Sequence, residues 1–208
     1  MSPLYGAAFL WLVATILWWS GWREESTDAL PQWAVGLFLA LWPLAWLGQL
    51  PVTETVSVNG ASVWTMLSVL AIACLIPAAR RWTAVSGGLL IGSLSILAAR
   101  LTFLPSGYSP EASSWAIAAW VGWLVALLFR SVSEQVLAIS VGLGLNAAAF
   151  AFLRSQDALP AMRAEDSMQA WWIALFSARL WTIGLRAAGV LGRKWALKLN
   201  GRRGGQRS

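Results

Sequence analysis

Seven apolar blocks of 17 to 24 residues, separated by loops shorter than about fifteen residues, leave this chain few ways to fold. A helix of that length rises about 30 Å, the thickness of a bilayer's hydrocarbon core, and closes its backbone hydrogen bonds within itself. The blocks fall near residues 4–22, 32–50, 61–79, 85–104, 113–129, 136–153 and 168–191. Pro31 and Pro51 bracket the second, and Pro43 inside it is expected to kink it. Arg23-Glu24-Glu25 stops the first, Arg80-Arg81 the third, and Pro105-Ser106-Gly107-Tyr108-Ser109-Pro110 follows the fourth. Loops this short make neighbours antiparallel and leave no room for a domain outside the membrane. The predicted fold is therefore all-α: a polytopic transmembrane helical bundle of about seven spans with short loops. It forms one domain over residues 1–191, followed by a basic flexible tail over 192–208.

Composition agrees. The chain is 58% hydrophobic and 12% charged, where a soluble domain carries about 25% charged residues. Its single Cys74 lies inside an apolar block and it has no histidine, so an intramolecular disulfide and the usual zinc, haem and iron ligand sets are missing. No cofactor or metal site is predicted. No Lys or Arg precedes the first block and no small-x-small pattern closes it, so that block is expected to stay in place as a helix. Six of the fifteen basic residues lie in the last sixteen positions, beside an apolar segment. That placement suits anionic lipid, and no nucleic-acid partner is expected.

Basic residues in short loops set orientation. With seven spans and the amino terminus outside, Arg23, Arg80, Arg81, Arg130 and six tail residues are cytoplasmic, against Arg154 and Arg163 outside. Trp18, Trp19, Trp22, Trp33 and Trp82 then belong to an inner aromatic belt, and Trp46, Trp64, Trp115, Trp171 and Trp172 to an outer one. The seventh segment is the delicate one. Its apolar residues favour insertion by roughly 2 to 4 kcal/mol, while Arg179 near its centre costs about 2.5 to 3.5 kcal/mol. A segment lying flat at the surface is the alternative, with six spans and both termini inside. It would put Arg80-Arg81 on the outer side, so seven is preferred.

Small residues recur at four-residue spacing: Ala84, Gly88, Gly92; Ala118, Gly122, Ala126; Ser140, Gly144, Ala148; Gly184, Ala188, Gly192. In lipid such stripes let backbones approach, so they read as contact faces within the bundle, with homo-oligomerisation as the second reading. Gly142-Leu143-Gly144 lies mid-helix without a third glycine or a preceding strand, and is no nucleotide loop. Arg100 and Arg179 are charges within apolar segments, which makes them candidates for function. Arg100 is close enough to its segment's end to snorkel. Arg179 is deeper, and begins a heptad-spaced row with Arg186 and Arg193. Asn146, midway along the sixth segment, is its candidate partner, so Arg179, Asn146 and Arg100 form the candidate polar pocket. No carboxylate or histidine lies deep in any segment, which disfavours proton-coupled transport and cation conduction. No nucleophile with a base is recognisable, and no catalytic residue is predicted.

The Trp-rich first segment (Phe9, Trp11, Trp18, Trp19), the stretch Val58-Asn59-Gly60-Ala61-Ser62-Val63-Trp64, and Leu101-Thr102-Phe103-Leu104 before Tyr108-Ser109-Pro110 carry a resemblance. Over roughly residues 5 to 185 the chain resembles the YphA-like family of small bacterial polytopic membrane proteins. The resemblance implies a bacterial plasma membrane and transfers no catalytic or binding residue. The sequence thus points to a multi-pass membrane protein, amino terminus outside and carboxyl terminus cytoplasmic, in contact with membrane lipids and a protein partner in the membrane. A non-enzymatic accessory, scaffold or sensing role is expected. The alternative is a transporter or binding protein for a small anionic or lipid-like molecule.

Overall fold

The structure, a computed structural model, describes residues 3–21, 30–53, 56–101, 110–154 and 164–204. Among these it contains α1 (Pro3–Trp19), α2 (Gln32–Leu47), β1 (Gln49–Thr53), β2 (Val56–Asn59), α3 (Gly60–Leu75), α4 (Ala78–Leu101), α5 (Pro110–Leu128), α6 (Val132–Arg154) and α7 (Ala164–Gly204). Each apolar block of the sequence thus holds one helix. Three have stretches long and apolar enough to cross a membrane: Ala78–Ala98, Val132–Ala149 and Ser167–Val190. The apolar stretches of the other four, Tyr5–Trp19, Gln32–Leu47, Gly60–Leu75 and Trp115–Leu128, are shorter.

Three boundaries differ from the sequence expectation. The break between α3 and α4 falls at Ile76-Pro77 instead of at the arginine pair, because proline cannot donate into a preceding turn; Arg80 and Arg81 lie in the first turns of α4. The stretch after α2 forms a small antiparallel hairpin, with Gln49 opposite Asn59 and Leu50 opposite Val58. Its β-branched Val52, Thr53, Val56 and Val58 suit extended backbone. Asn59 then caps α3 by accepting from the Ala61 N–H at 2.8 Å. The last helix does not stop at Leu191: it continues unbroken to Gly204, 41 residues in all, so the stretch expected to be a flexible tail is helical through residue 204.

Successive helices run in opposite directions. Trp11 of α1 donates to Leu39 O of α2 and Trp18 closes on Gly36, which is an antiparallel pair. Trp64 of α3 reaches Phe38 O, and Gly60 sits against Ala45 O. Trp171 and Thr182 of α7 meet Ser140 and Gln135 of α6 in reverse order. Alternation leaves every second helix parallel, and two parallel pairs pack backbone to backbone. In α4 and α6, a Cβ added to Gly88 would lie 2.6 Å from Ala138 O, and one added to Gly92 would lie 2.8 Å from Gly142 O. In α5 and α7, Gly122 packs on the backbone of Ala174 and Ala178, and Ser177 donates to Ala119 O at 2.8 Å.

Two of the expected small-residue stripes are contact faces, with Ala84, Ala118 and Ala126 fully or nearly fully buried. Two are not. On α6 the packed row is Ala138, Gly142 and Asn146, while Gly144 and Ala148 face outward. On α7, Gly184 and Ala188 are exposed and nothing lies within 4 Å of a Cβ placed on Gly184. A four-residue spacing marks a face without saying which face is turned inward.

Candidate functional site

Helices α1, α2, α3, α6 and α7 pack around a common interior, while α4 and α5 pack outside α6 and α7. Toward the hairpin end this interior is filled with aromatic rings. Trp42 and Trp172 are 1% and 2% exposed, their centroids 5.9 Å apart and nearly perpendicular. Trp11 stacks on Trp42 at 6.0 Å, Trp171 stands edge-on to Trp172 at 5.2 Å, and Phe38 and Phe176 complete the cluster. The sequence expectation that placed Trp171 and Trp172 in an outer belt is corrected here. Large rings fill the space between the helices, and edge-to-face geometry favours their meeting there. Trp18, Trp46 and Trp64 are likewise half-buried against the core, Trp19, Trp33, Trp82 and Trp115 are exposed, and Trp22 lies outside the described residues.

Two of these buried indoles, Trp42 and Trp172, have Nε1 groups shielded from solvent with no hydrogen-bond partner. By contrast Trp11 Nε1 donates to Leu39 O at 2.9 Å, and Trp171 Nε1 to Ser140 Oγ at 2.9 Å. Sequence patterning offers no signal for which tryptophan turns inward, because nearly every neighbour is apolar as well.

The three residues expected to form one polar pocket are placed apart. Asn146 is buried, but its Nδ2 donates to Ser95 Oγ of α4 at 2.7 Å, Ser95 donates to Gly92 O at 2.8 Å, and Asn146 Oδ1 has no hydrogen-bond partner. Arg179 lies on α7 between Trp171, level with Ser140, and Thr182, level with Gln135. That sets it about ten residues, or roughly 15 Å, from Asn146 along the helix axis. The expected Arg179 and Asn146 pairing is therefore corrected. Matching the midpoints of the two apolar blocks failed because α7 overruns its apolar block. Arg100 occupies the last turn of α4, and its side chain lies outside the described residues.

Arg179 is half-buried, and its Nε and Nη1 are shielded from solvent. Its neighbours along the helix, Ala178 and Thr182, are 0% and 3% exposed. Near its level Gln135, fully buried, donates through Nε2 to Phe129 O and to Thr182 Oγ1, each at 2.8 Å. Its Oε1 is buried with no hydrogen-bond partner. This second polar group, Gln135 with Thr182, was not among the residues the sequence singled out. Gln135 stands just before the apolar block 136–153, in the stretch expected to be loop, whereas the helix begins at Val132.

The opposite end from the hairpin collects charge. Arg80 pairs with Glu134 at 3.8 Å, and Arg186 Nη2 donates to Arg130 O at 3.1 Å. Among the described residues no group of three or more His, Cys, Asp or Glu comes together in a way that could hold a metal ion, and Cys74 is exposed. No protein-family model matches the chain, and no curated protein or solved structure matches it.

Proposed function

We propose that the chain is an integral protein of a bacterial plasma membrane, crossing it seven times with its amino terminus outside, and that it works there as a non-enzymatic accessory, scaffold or sensing protein. One observation carries the membrane placement. Between the two ends the outward surface is built of large apolar side chains, among them Phe9, Leu44, Met66, Leu70 and Leu97, each more than half exposed. Water does not tolerate apolar surface on that scale, and lipid requires it. The alternating directions of all seven helices suit seven crossings, and α7 lies within the bundle, as a span would. The resemblance to the YphA-like family supports a bacterial origin.

The scaffold reading rests on how the interior is filled. Interlocked tryptophans occupy the space between five helices, and glycine contacts hold the parallel pairs at backbone distance. Sliding either pair drives backbone into backbone, so the bundle is built to keep one shape. A second reading, a binding protein or transporter for a small anionic or lipid-like molecule, is favoured by Arg179, a cation whose Nε and Nη1 are shielded inside the bundle.

Purified full-length chain in nanodiscs, examined by native mass spectrometry, separates the two. Photo-crosslinkers placed in cells at Leu70 and Leu97 should give one discrete protein adduct if the chain is a scaffold. A stoichiometric anionic metabolite on the purified protein, lost in Arg179→Leu, favours the second reading and counts against the first.

A further inference from the structure

We propose that the extension of α7 past the bundle is a cationic arm that binds the phosphate backbone of a nucleic acid on the cytoplasmic side, without reading its sequence. The inference rests on the membrane placement above, which gives this extension no partner.

The other six helices begin or end near one level. Gly6 of α1 sits against Gln169 of α7 and the two run parallel, so the end of α1 at Trp19 comes level with Thr182. α2 begins beside it at Gln32. α5 ends at Leu128 and α6 begins at Val132, where Gln135 meets Thr182. α4 begins at Ala78, with Arg80 reaching Glu134, and α3 ends just before it at Leu75. Among the described residues, α7 alone goes on past this level. Every residue from Gly184 to Val190 is exposed, and the helix continues unbroken to Gly204. From Ile183 to Gly204 that is about 33 Å of helix.

The extension is basic throughout, with Arg193, Lys194, Lys198, Arg202 and Arg203, and no Asp or Glu follows Asp166. Counting about 100° per residue around the axis, these five stand at about 0°, 100°, 140°, 180° and 280°, so no sector wider than about 100° lacks a cation. A helix that lies on a lipid surface needs the opposite, one broad apolar face with the cations confined to the other. Reach favours the same conclusion. Measured along the helix from Arg186, which meets Arg130 at the bundle end, Lys198, Arg202 and Arg203 stand about 18 to 25 Å out. That is more than two Debye lengths of about 8 Å. A nucleic-acid duplex carries one charge per about 1.7 Å, and its phosphates line both walls of a groove about 12 Å wide, which admits an α-helix with cations on every side. The sequence expectation of anionic lipid takes this stretch for a flexible tail, and helical backbone through Gly204 is what redirects it.

The test uses full-length chain in nanodiscs of neutral phosphatidylcholine, titrated with a fluorescent duplex and a fluorescent single strand of about 20 nucleotides at several salt concentrations. The logarithm of the binding constant should fall against that of salt with a slope of about −4 to −5 for the duplex and about −3 to −4 for the single strand, as five neutralised phosphates require. R202Q/R203Q should take about two off the duplex slope, and replacing all five cations with Gln should remove the binding, whereas R80Q/R81Q at the bundle end should match wild type. Binding that survives all five replacements overturns the arm. So does poly-glutamate of equal charge that binds as tightly, which points to an acidic protein instead. A nitroxide at Leu199 in phosphatidylglycerol nanodiscs should stay open to a water-soluble relaxant; shielding at headgroup depth shows the arm lying on lipid and overturns the proposal. Resistance to alkaline extraction scores insertion separately. An extracted wild type overturns the membrane placement, whereas one that stays inserted and binds neither strand overturns the arm alone.

Discussion

Gln135 of α6 donates its side-chain amide to Thr182 Oγ1 of α7 at 2.8 Å, and Thr182 donates onward to Ala178 O at 2.7 Å. The bond ties two antiparallel helices where Gln135 also caps the end of α5 through Phe129 O. In a double-mutant cycle of Thr182→Val and Gln135→Leu, the coupling should be about 0.6 kcal/mol and no more than about 1.7 kcal/mol, the range for polar contacts between membrane helices. Gln135→Leu alone should change stability by less than about 1 kcal/mol, because it also removes the buried, unpartnered Oε1. Reversible unfolding in mixed micelles measures both. A coupling of zero would show that the two side chains do not meet.

The glycines divide into two groups by what surrounds them. Gly92→Ala would place Cβ 2.8 Å from Gly142 O and 3.0 Å from Gly142 Cα, both backbone atoms that cannot turn aside. The helices must separate, and the expected loss is about 1 to 3 kcal/mol. Gly144→Ala, with nothing within 4 Å, should be neutral or stabilising by up to about 1 kcal/mol through helix propensity. Equal effects at the two positions, read by thermal denaturation, would contradict the packing of α4 against α6.

Among the tryptophans the indole N–H separates otherwise similar rings. Trp11→Phe removes a donor from Leu39 O and should cost about 0.5 to 1.5 kcal/mol beyond the lost ring volume. Trp172→Phe loses volume alone, since its Nε1 has no partner, so its destabilisation should track the smaller ring only. Far-UV melting of the two variants side by side provides the comparison. The ordering fails if Trp172→Phe shows the larger excess over its volume change.

Seven crossings predict opposite sides for the two termini. A reporter active only in the cytoplasm should work when fused after Ser208 and stay silent when fused before Met1. Activity at both ends would restore the six-span arrangement with cytoplasmic termini.

How much of this was legible in the sequence depends on which physical signal each feature uses. Helix existence follows from the length of apolar runs, and each of the seven blocks contains a helix. The hairpin was missed because four β-branched residues across two short strands were outweighed by the apolar periodicity on both sides. The α3 to α4 break lies at Pro77 and not at Arg80-Arg81, because a charge can ride in a helix's first turn whereas a proline interrupts the backbone bonding. Asn146 was identified as a polar residue in the core, yet its partner proved to be Ser95 on α4. Pairing between helices is set by which faces meet and at what depth, and in segments made mostly of Leu, Ala, Val and Trp almost any face is apolar enough. The candidate Arg179 site was legible as a buried charge, and its neighbours were not.

The parallel packing of α4 on α6 also sets an order of events while the chain is being made. Gly88 and Gly92 meet Ala138 and Gly142, about 50 residues further along. At roughly 5 to 20 residues per second, the ribosome delivers that partner about 3 to 10 seconds later. During the wait the notch in α4 has no partner helix, and α5 must be made before α6 can close it. The newborn chain thus passes through a state in which this backbone seam is open, and a ribosome pause between residues 92 and 142 would prolong that state.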